Sequence, residues 1–191
     1  FQAEAGIRDP LWSRGLGDVY KRQVYEGEWK AGVIEGIGRA QYSNGVVYEG
    51  GFKNARNHGF GIMDYGNGYI YEGEWKDGNR HGKGMSKFAD GMVYEGDYLN
   101  GKRHGVGKII LADGFRYEGE WLAGEITGQG IATYSNGDIY EGTFVNGRRQ
   151  GQGTIKFANG RSAKGNWQDG ALIDAETAVT DTDIEASTGN E

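Results

Sequence analysis

Several residue types in this chain have the chemistry for catalysis or ligand binding, and their spacing decides what they are for. Glu72 and Glu74 stand two apart, which on a strand puts both carboxylates on one face. A carboxylate pair suits general acid–base work, but some version of this pair recurs in every repeat of the chain. No enzyme needs its general acid six times, so the pair reads as a solvated face. Gly-x-Gly steps begin at Gly36, Gly59, Gly82, Gly105, Gly128 and Gly151. A dinucleotide site needs G-x-G-x-x-G between a strand and a helix, and no helical period follows any of them. His58, His81 and His104 recur at one spacing, which places them on successive loops about 10 Å apart. Zinc–nitrogen bonds of about 2.1 Å do not span that gap. With no Cys in the chain, thiolate metal sites, disulfides and Cys nucleophiles are excluded. The reading is therefore of no catalytic residues, no metal and no cofactor.

What remains is periodic. Glycine makes up 37 of 191 residues, beside one Pro. That is far from collagen, which needs glycine at every third residue. The 13% of aromatic residues is too high for simple disorder. YEGEW begins at Tyr25, Tyr71 and Tyr117, with variants at Tyr48, Tyr94 and Tyr140, so the repeat is 23 residues long. Counting from that Tyr, column 2 is Glu in all six full copies, and columns 3, 12, 14 and 21 are Gly. Column 5 is always aromatic: Trp29, Phe52, Trp75, Tyr98, Trp121, Phe144 and, in a partial seventh copy from Ala163, Trp167. The glycine excess is thus the repeat itself.

Two segments per repeat alternate like strands: YEGEW, and the run from column 12 to column 18, as in GKGMSKF from Gly82. Asn-Gly or Asp-Gly at columns 20–21 predicts a two-residue type I′ hairpin. The other connection, as in KDGNRHG, predicts a wider loop. Two hairpins per repeat make an antiparallel meander of thirteen strands, with the aromatic columns stacked in rows. The predicted fold is all-β: an elongated, single-layer antiparallel meander of stacked hairpin repeats over residues 24–170, closing with a partial repeat at 163–170.

YEGEWKDGNRHGKGMSKFADG, from Tyr71, resembles a MORN (membrane occupation and recognition nexus) repeat in its period, turn glycines, aromatic columns and His-Gly-x-Gly step. Ala55, Gly51 and, at the His column, Glu35, Thr127 and Gln150 depart from the pattern. The resemblance implies a curved sheet with a scaffolding or binding role and no catalysis. It also implies a possible phospholipid role, and neighbours such as lipid kinase or SET-domain methyltransferase regions.

Two surfaces follow as candidates. One is the aromatic face, with Tyr71, Trp75, Tyr94, Tyr98, Tyr117 and Trp121 as an interaction site for a peptide or helix of another protein. The other is a basic run assigned to the long loops, Arg56, Arg80, Lys102, Arg103, Arg148 and Arg149, as an edge for anionic phospholipid. The function expected is a non-catalytic protein-interaction scaffold. The alternatives are a peripheral phospholipid-binding module and the accessory region of a truncated enzyme. These readings go with placement in the cytoplasm or at a membrane surface.

Net charge is −6, but residues 24–170 carry 17 basic and 18 acidic groups, which lacks the basic excess of a nucleic-acid binder. The segment 171–191 carries six acidic groups and no basic one, and reads as a disordered tail. Residues 1–23 match no repeat and resemble the translated read-through of a sequencing adaptor, a non-native leader.

Overall fold

The computed structural model describes residues 24–177. The leader 1–23 and residues 178–191 lie outside the described residues. The described chain is all strand and turn: β1 (Val24–Lys30), β2 (Val33–Gln41), β3 (Val47–Lys53), β4 (Arg56–Asp64), β5 (Ile70–Lys76), β6 (Asn79–Lys87), β7 (Val93–Leu99), β8 (Lys102–Ile110), β9 (Arg116–Leu122), β10 (Glu125–Thr133), β11 (Ile139–Val145), β12 (Arg148–Lys156), β13 (Ser162–Gln168) and β14 (Ala171–Thr177). They follow one another in chain order in one antiparallel meander sheet. Two compact units divide it: β1–β6 with Tyr98–Gly101, and 90–97 with everything from Lys102 onward. The sheet carries one strand more than the periodicity predicts, because β14 uses residues assigned to the acidic tail.

The two hairpin connections are exchanged relative to the sequence reading. The tight two-residue turn lies at columns 7–8, where both residues have positive φ, as at Asn54 and Ala55 (50° and 57°). That is the type I′ signature. The Asn-Gly and Asp-Gly pairs sit in wider loops instead. There Gly45 N donates to Tyr42 O at 3.0 Å and Tyr42 N to Val46 O at 2.8 Å, a turn closed by a glycine bulge. The Asn44 carboxamide oxygen accepts from Val46 N at 3.2 Å, and Asp90 does the same for Met92 N at 3.0 Å. These Asx bonds explain why column 20 is Asn or Asp.

Residues assigned to a long loop therefore open the nine-residue strands. Within each hairpin the register jumps: Gly73 faces Gly84, but Trp75 faces Arg80. One residue, Glu74, thus opposes three, and the excess forms a bulge. The Glu74 carboxylate accepts from Lys83 N at 3.0 Å. Asp97 accepts from Val106 N at 3.0 Å, and Glu120 from Gln129 N at 3.0 Å. Where column 4 is acidic, its carboxylate takes up an amide that the bulge releases from the ladder.

Alternation sorts the rest onto two faces. Columns 1, 3 and 5 form a ring face, and columns 2 and 4 a glutamate face. On the ring face each tyrosine lies over a cross-strand glycine pair. A Cβ on Gly84 would stand 2.4 Å from Tyr71 Oη, so the flat ring rests on backbone. Each phenol then donates three residues ahead, as Tyr71 does to Glu74 O at 2.9 Å and Tyr117 to Glu120 O at 3.0 Å.

Candidate functional site

The aromatic rows pack as an edge-to-face lattice. In the first unit Tyr48 meets Phe52 at 5.0 Å and Trp75 at 5.4 Å, and Tyr71 meets Trp75 and Tyr98, both at 5.1 Å. In the second unit Tyr94 meets Trp121 at 5.2 Å, and Tyr117 meets Trp121 at 5.6 Å and Phe144 at 5.2 Å. Each pair adds about 0.5–1.5 kcal/mol beyond area burial. Trp75 Nε1 donates to Gly61 O at 3.1 Å, and Trp121 Nε1 to Gly107 O at 3.0 Å. These rings cover one another: Tyr71, Tyr94 and Tyr117 are 0% exposed, and Trp75, Tyr98 and Trp121 are 4–5% exposed. All six candidate interaction residues are thus core, with little surface for a partner. Burial also holds the phenols neutral, pushing Tyr117 up to about 12, with Glu120 adding to the shift, and raising Tyr48 and Tyr71 as well.

Tyr98 has a specific partner. Its hydroxyl lies 2.7 Å from Ser86 Oγ, and Ser86 is 1% exposed. Other repeats put Ala, Met or Ile at the position of Ser86. A phenol in place of an indole moves the polar atom, and a hydroxyl across the sheet receives it.

The six basic residues stand on strands, not loops. Arg56, Lys102 and Arg148 begin β4, β8 and β12 and are exposed, and Arg148 lies 3.6 Å from Asp169. The other three are half-buried and engaged. The Arg80 guanidinium carbon sits 5.3 Å from the Tyr98 ring centre, with its Nη2 donating to Gly101 O at 2.7 Å and its Nη1 to Tyr69 Oη. Arg103 stands 4.4 Å from Trp121 and Arg149 4.2 Å from Trp167. Such cation–π contacts contribute about 0.5–2 kcal/mol each. Arg80, Arg103 and Arg149 therefore brace the ring lattice, and the basic run splits into three structural and three exposed members.

The His column also belongs to the strands. Its Glu35 and Gln150 counterparts accept from the turn amides of the next repeat, Asn54 N at 2.9 Å and Asp169 N at 3.1 Å. His58 Nδ1 lies 3.7 Å from Asp77. Among the described residues no three His, Asp or Glu side chains converge as metal ligands.

Exposed apolar side chains gather on the glutamate face of the first unit, where sequence reasoning placed no site. Ile37 and Phe60 are 63% and 60% exposed, and Ile62 is 41% exposed. Ile37 faces Gly51 across β2–β3, and Gly51 stands where other repeats carry Glu, Asp or Thr. Ile62 faces Glu49 and Glu72, and Phe60 faces Glu74. The result is an apolar cluster beside a glycine gap with a carboxylate rim. The one signal in sequence was Gly51, the only glycine in that column.

The MORN repeat family model matches residues 25–47, 48–68, 71–93, 94–116, 117–139 and 140–160. No curated protein matches the chain. Among solved structures, the chain is similar to the TCP domain of Drosophila melanogaster SAS-4 (dCPAP), in complex with a proline-rich motif of Ana2 (dSTIL). Identity is 16% and the TM-score 0.45, covering 69% of this chain and 73% of that one. It is also similar to the wild-type TCP10 domain of Danio rerio CPAP, at 12% identity and TM-score 0.44, over 76% of this chain and 68% of that one.

Proposed function

This chain belongs to the MORN-repeat family, and on that premise we propose that it is a non-catalytic scaffold that binds another protein through the glutamate face of its first unit. One observation carries the reading: Ile37, Phe60 and Ile62 remain exposed together while the aromatic columns are consumed in packing. An apolar centre with a charged rim is the anatomy of protein interfaces. Glu49, Glu72 and Glu74 select a segment with one large apolar residue flanked by Lys or Arg.

Panning a random peptide library against the array tests this. Enriched peptides should share an apolar residue beside basic ones, and Phe60→Asp should weaken them by about 2 kcal/mol or more with circular dichroism unchanged. Replacing Arg56, Lys102 and Arg148 together by Ala should leave binding intact. Flotation with phosphatidylserine vesicles, lost in that triple variant and weakened by salt, would establish the lipid reading instead.

A further inference from the structure

In an Asn-Gly step the glycine nitrogen, unscreened by any side chain, can attack the asparagine carboxamide carbon and expel ammonia. The sequence holds six such steps, at Asn44, Asn67, Asn100, Asn136, Asn146 and Asn159. Attack needs a glycine amide that is not donating elsewhere and a carboxamide folded over it.

Five of the six steps fail the first condition. In the wide loops Gly45 N donates to Tyr42 O at 3.0 Å, Gly137 N to Tyr134 O at 2.9 Å and Gly160 N to Phe157 O at 2.9 Å. In the tight turns Gly101 N donates to Arg80 O and Gly147 N to Ile126 O, both at 2.9 Å. Gly68 N has no acceptor among the described residues. The cause is local. Column 19 is Ser or Ala in every other full repeat and Gly66 here. Gly66 holds φ of 71°, whereas Ser43, Ala89, Ala112, Ser135 and Ala158 have no positive φ. The Asp64 carboxylate fixes this conformation by accepting from Gly66 N at 2.8 Å, and no other repeat has Asp at that position. Residues 66–68 therefore form an open bend in place of the hydrogen-bonded turn.

The second condition holds at Asn67. Its Oδ1 accepts from Tyr69 N at 3.0 Å, which folds the carboxamide across the intervening Gly68 amide and polarises its carbonyl. Asn67 and Gly68 are both exposed, so water and base reach them.

We propose that Asn67-Gly68 is a self-modification site, where the folded protein converts asparagine to aspartate and isoaspartate while its other Asn-Gly steps are protected. The Gly68 nitrogen gives up its proton and bonds to Asn67 Cγ. The Cγ–Nδ2 bond breaks, and ammonia leaves with that proton, so a succinimide forms. Water then opens the ring. Cleavage between Cγ and the Gly68 nitrogen gives aspartate, and cleavage between the Asn67 backbone carbonyl and that nitrogen gives isoaspartate. Neither step needs an oxidant or a reductant. Both products carry a new negative charge, and isoaspartate lengthens the main chain by one methylene. That extra length falls between Tyr65 and Tyr69, whose rings stack at 4.5 Å.

The test incubates the full chain at mildly alkaline pH and follows each Asn-Gly peptide by mass spectrometry as amide becomes acid. Position 67 should convert at least about fivefold faster than any of the other five, the factor that one net backbone hydrogen bond supplies. In urea, where those bonds are lost, its lead should vanish. Gly66→Ser rebuilds the Tyr-Ser-Asn-Gly loop of residues 42–45 and disfavours positive φ, so it should slow position 67 to the rate of Asn44. Three results would overturn the proposal: a folded chain in which another step converts as fast as position 67, a lead that persists in urea, or a folded Gly66→Ser variant that converts as fast as the parent.

Discussion

Tyr71 shows how one residue type organises this protein. Its ring needs bare backbone beneath it, so Gly73 and Gly84 face each other across the hairpin. Its hydroxyl needs an acceptor, which Glu74 O provides. A methyl group at Gly84 would meet the ring at 2.4–2.7 Å. Gly84→Ala should therefore cost about 1–3 kcal/mol by overpacking, read from urea unfolding; a neutral result would show that the ring can lift away. The same burial makes an alkaline prediction. The phenols of Tyr48, Tyr71 and Tyr117 are raised above the unfolded value, so their contribution is complete below about pH 10. It is lost as pH climbs through the folded values, about 12 for Tyr117. Urea midpoints should thus fall between about pH 10 and about pH 12, and phenolate absorbance should appear together with unfolding. Full ionisation near pH 10 in a folded array would contradict the burial argument.

At the scale of the hairpin, the strand content was legible and the turn assignment was not. Both connections contain an Asn-Gly or Asp-Gly step, at Asp77-Gly78 as well as Asp90-Gly91, and the dipeptide fits either loop. Length decides: only columns 7–8 join strands with two residues. That exchange moved the His and Arg columns from loops into strands, and with it the role of Arg80, Arg103 and Arg149 changed from exposed charge to ring support. The Ser86–Tyr98 pair was hidden for a related reason, since column spacing does not reveal how far a long side chain leans over the neighbouring strand. Ala55 marks the tight turn directly. It holds φ of 57°, where an L-residue costs about 1–2 kcal/mol and five other full repeats place Gly. Ala55→Gly should raise stability by about 1 kcal/mol, measured as a higher urea midpoint. A lower midpoint would mean that unfolded-state entropy outweighs the strain.

Over the whole chain the governing quantity is parity. A 23-residue period has odd length, yet the column 1 Tyr returns to the ring face in every repeat, because the turn, the bulge and the wide loop absorb the remainder between strands. Face assignment was therefore readable from the columns, whereas the degree of coverage was not. Whether rings in a single sheet shield one another depends on the lean of each side chain over glycine, which no residue count supplies. Parity within a strand has no such freedom, since a one-residue slip sends side chains to the opposite face. Deleting residues 119–141 joins Glu118 to Gly142 and rebuilds one strand reading YEGTF. That array should fold with a urea m-value lower by about one seventh, in proportion to the two strands lost. Deleting only 119–140 leaves YEEGTF, in which Tyr117 and Phe144 no longer share a face. The second deletion should be less stable than the first by about 3 kcal/mol or more, the scale of losing a buried aromatic ring. Equal stability of the two deletions would show that the sheet absorbs an extra residue within a strand, and that the ring face does not set the register.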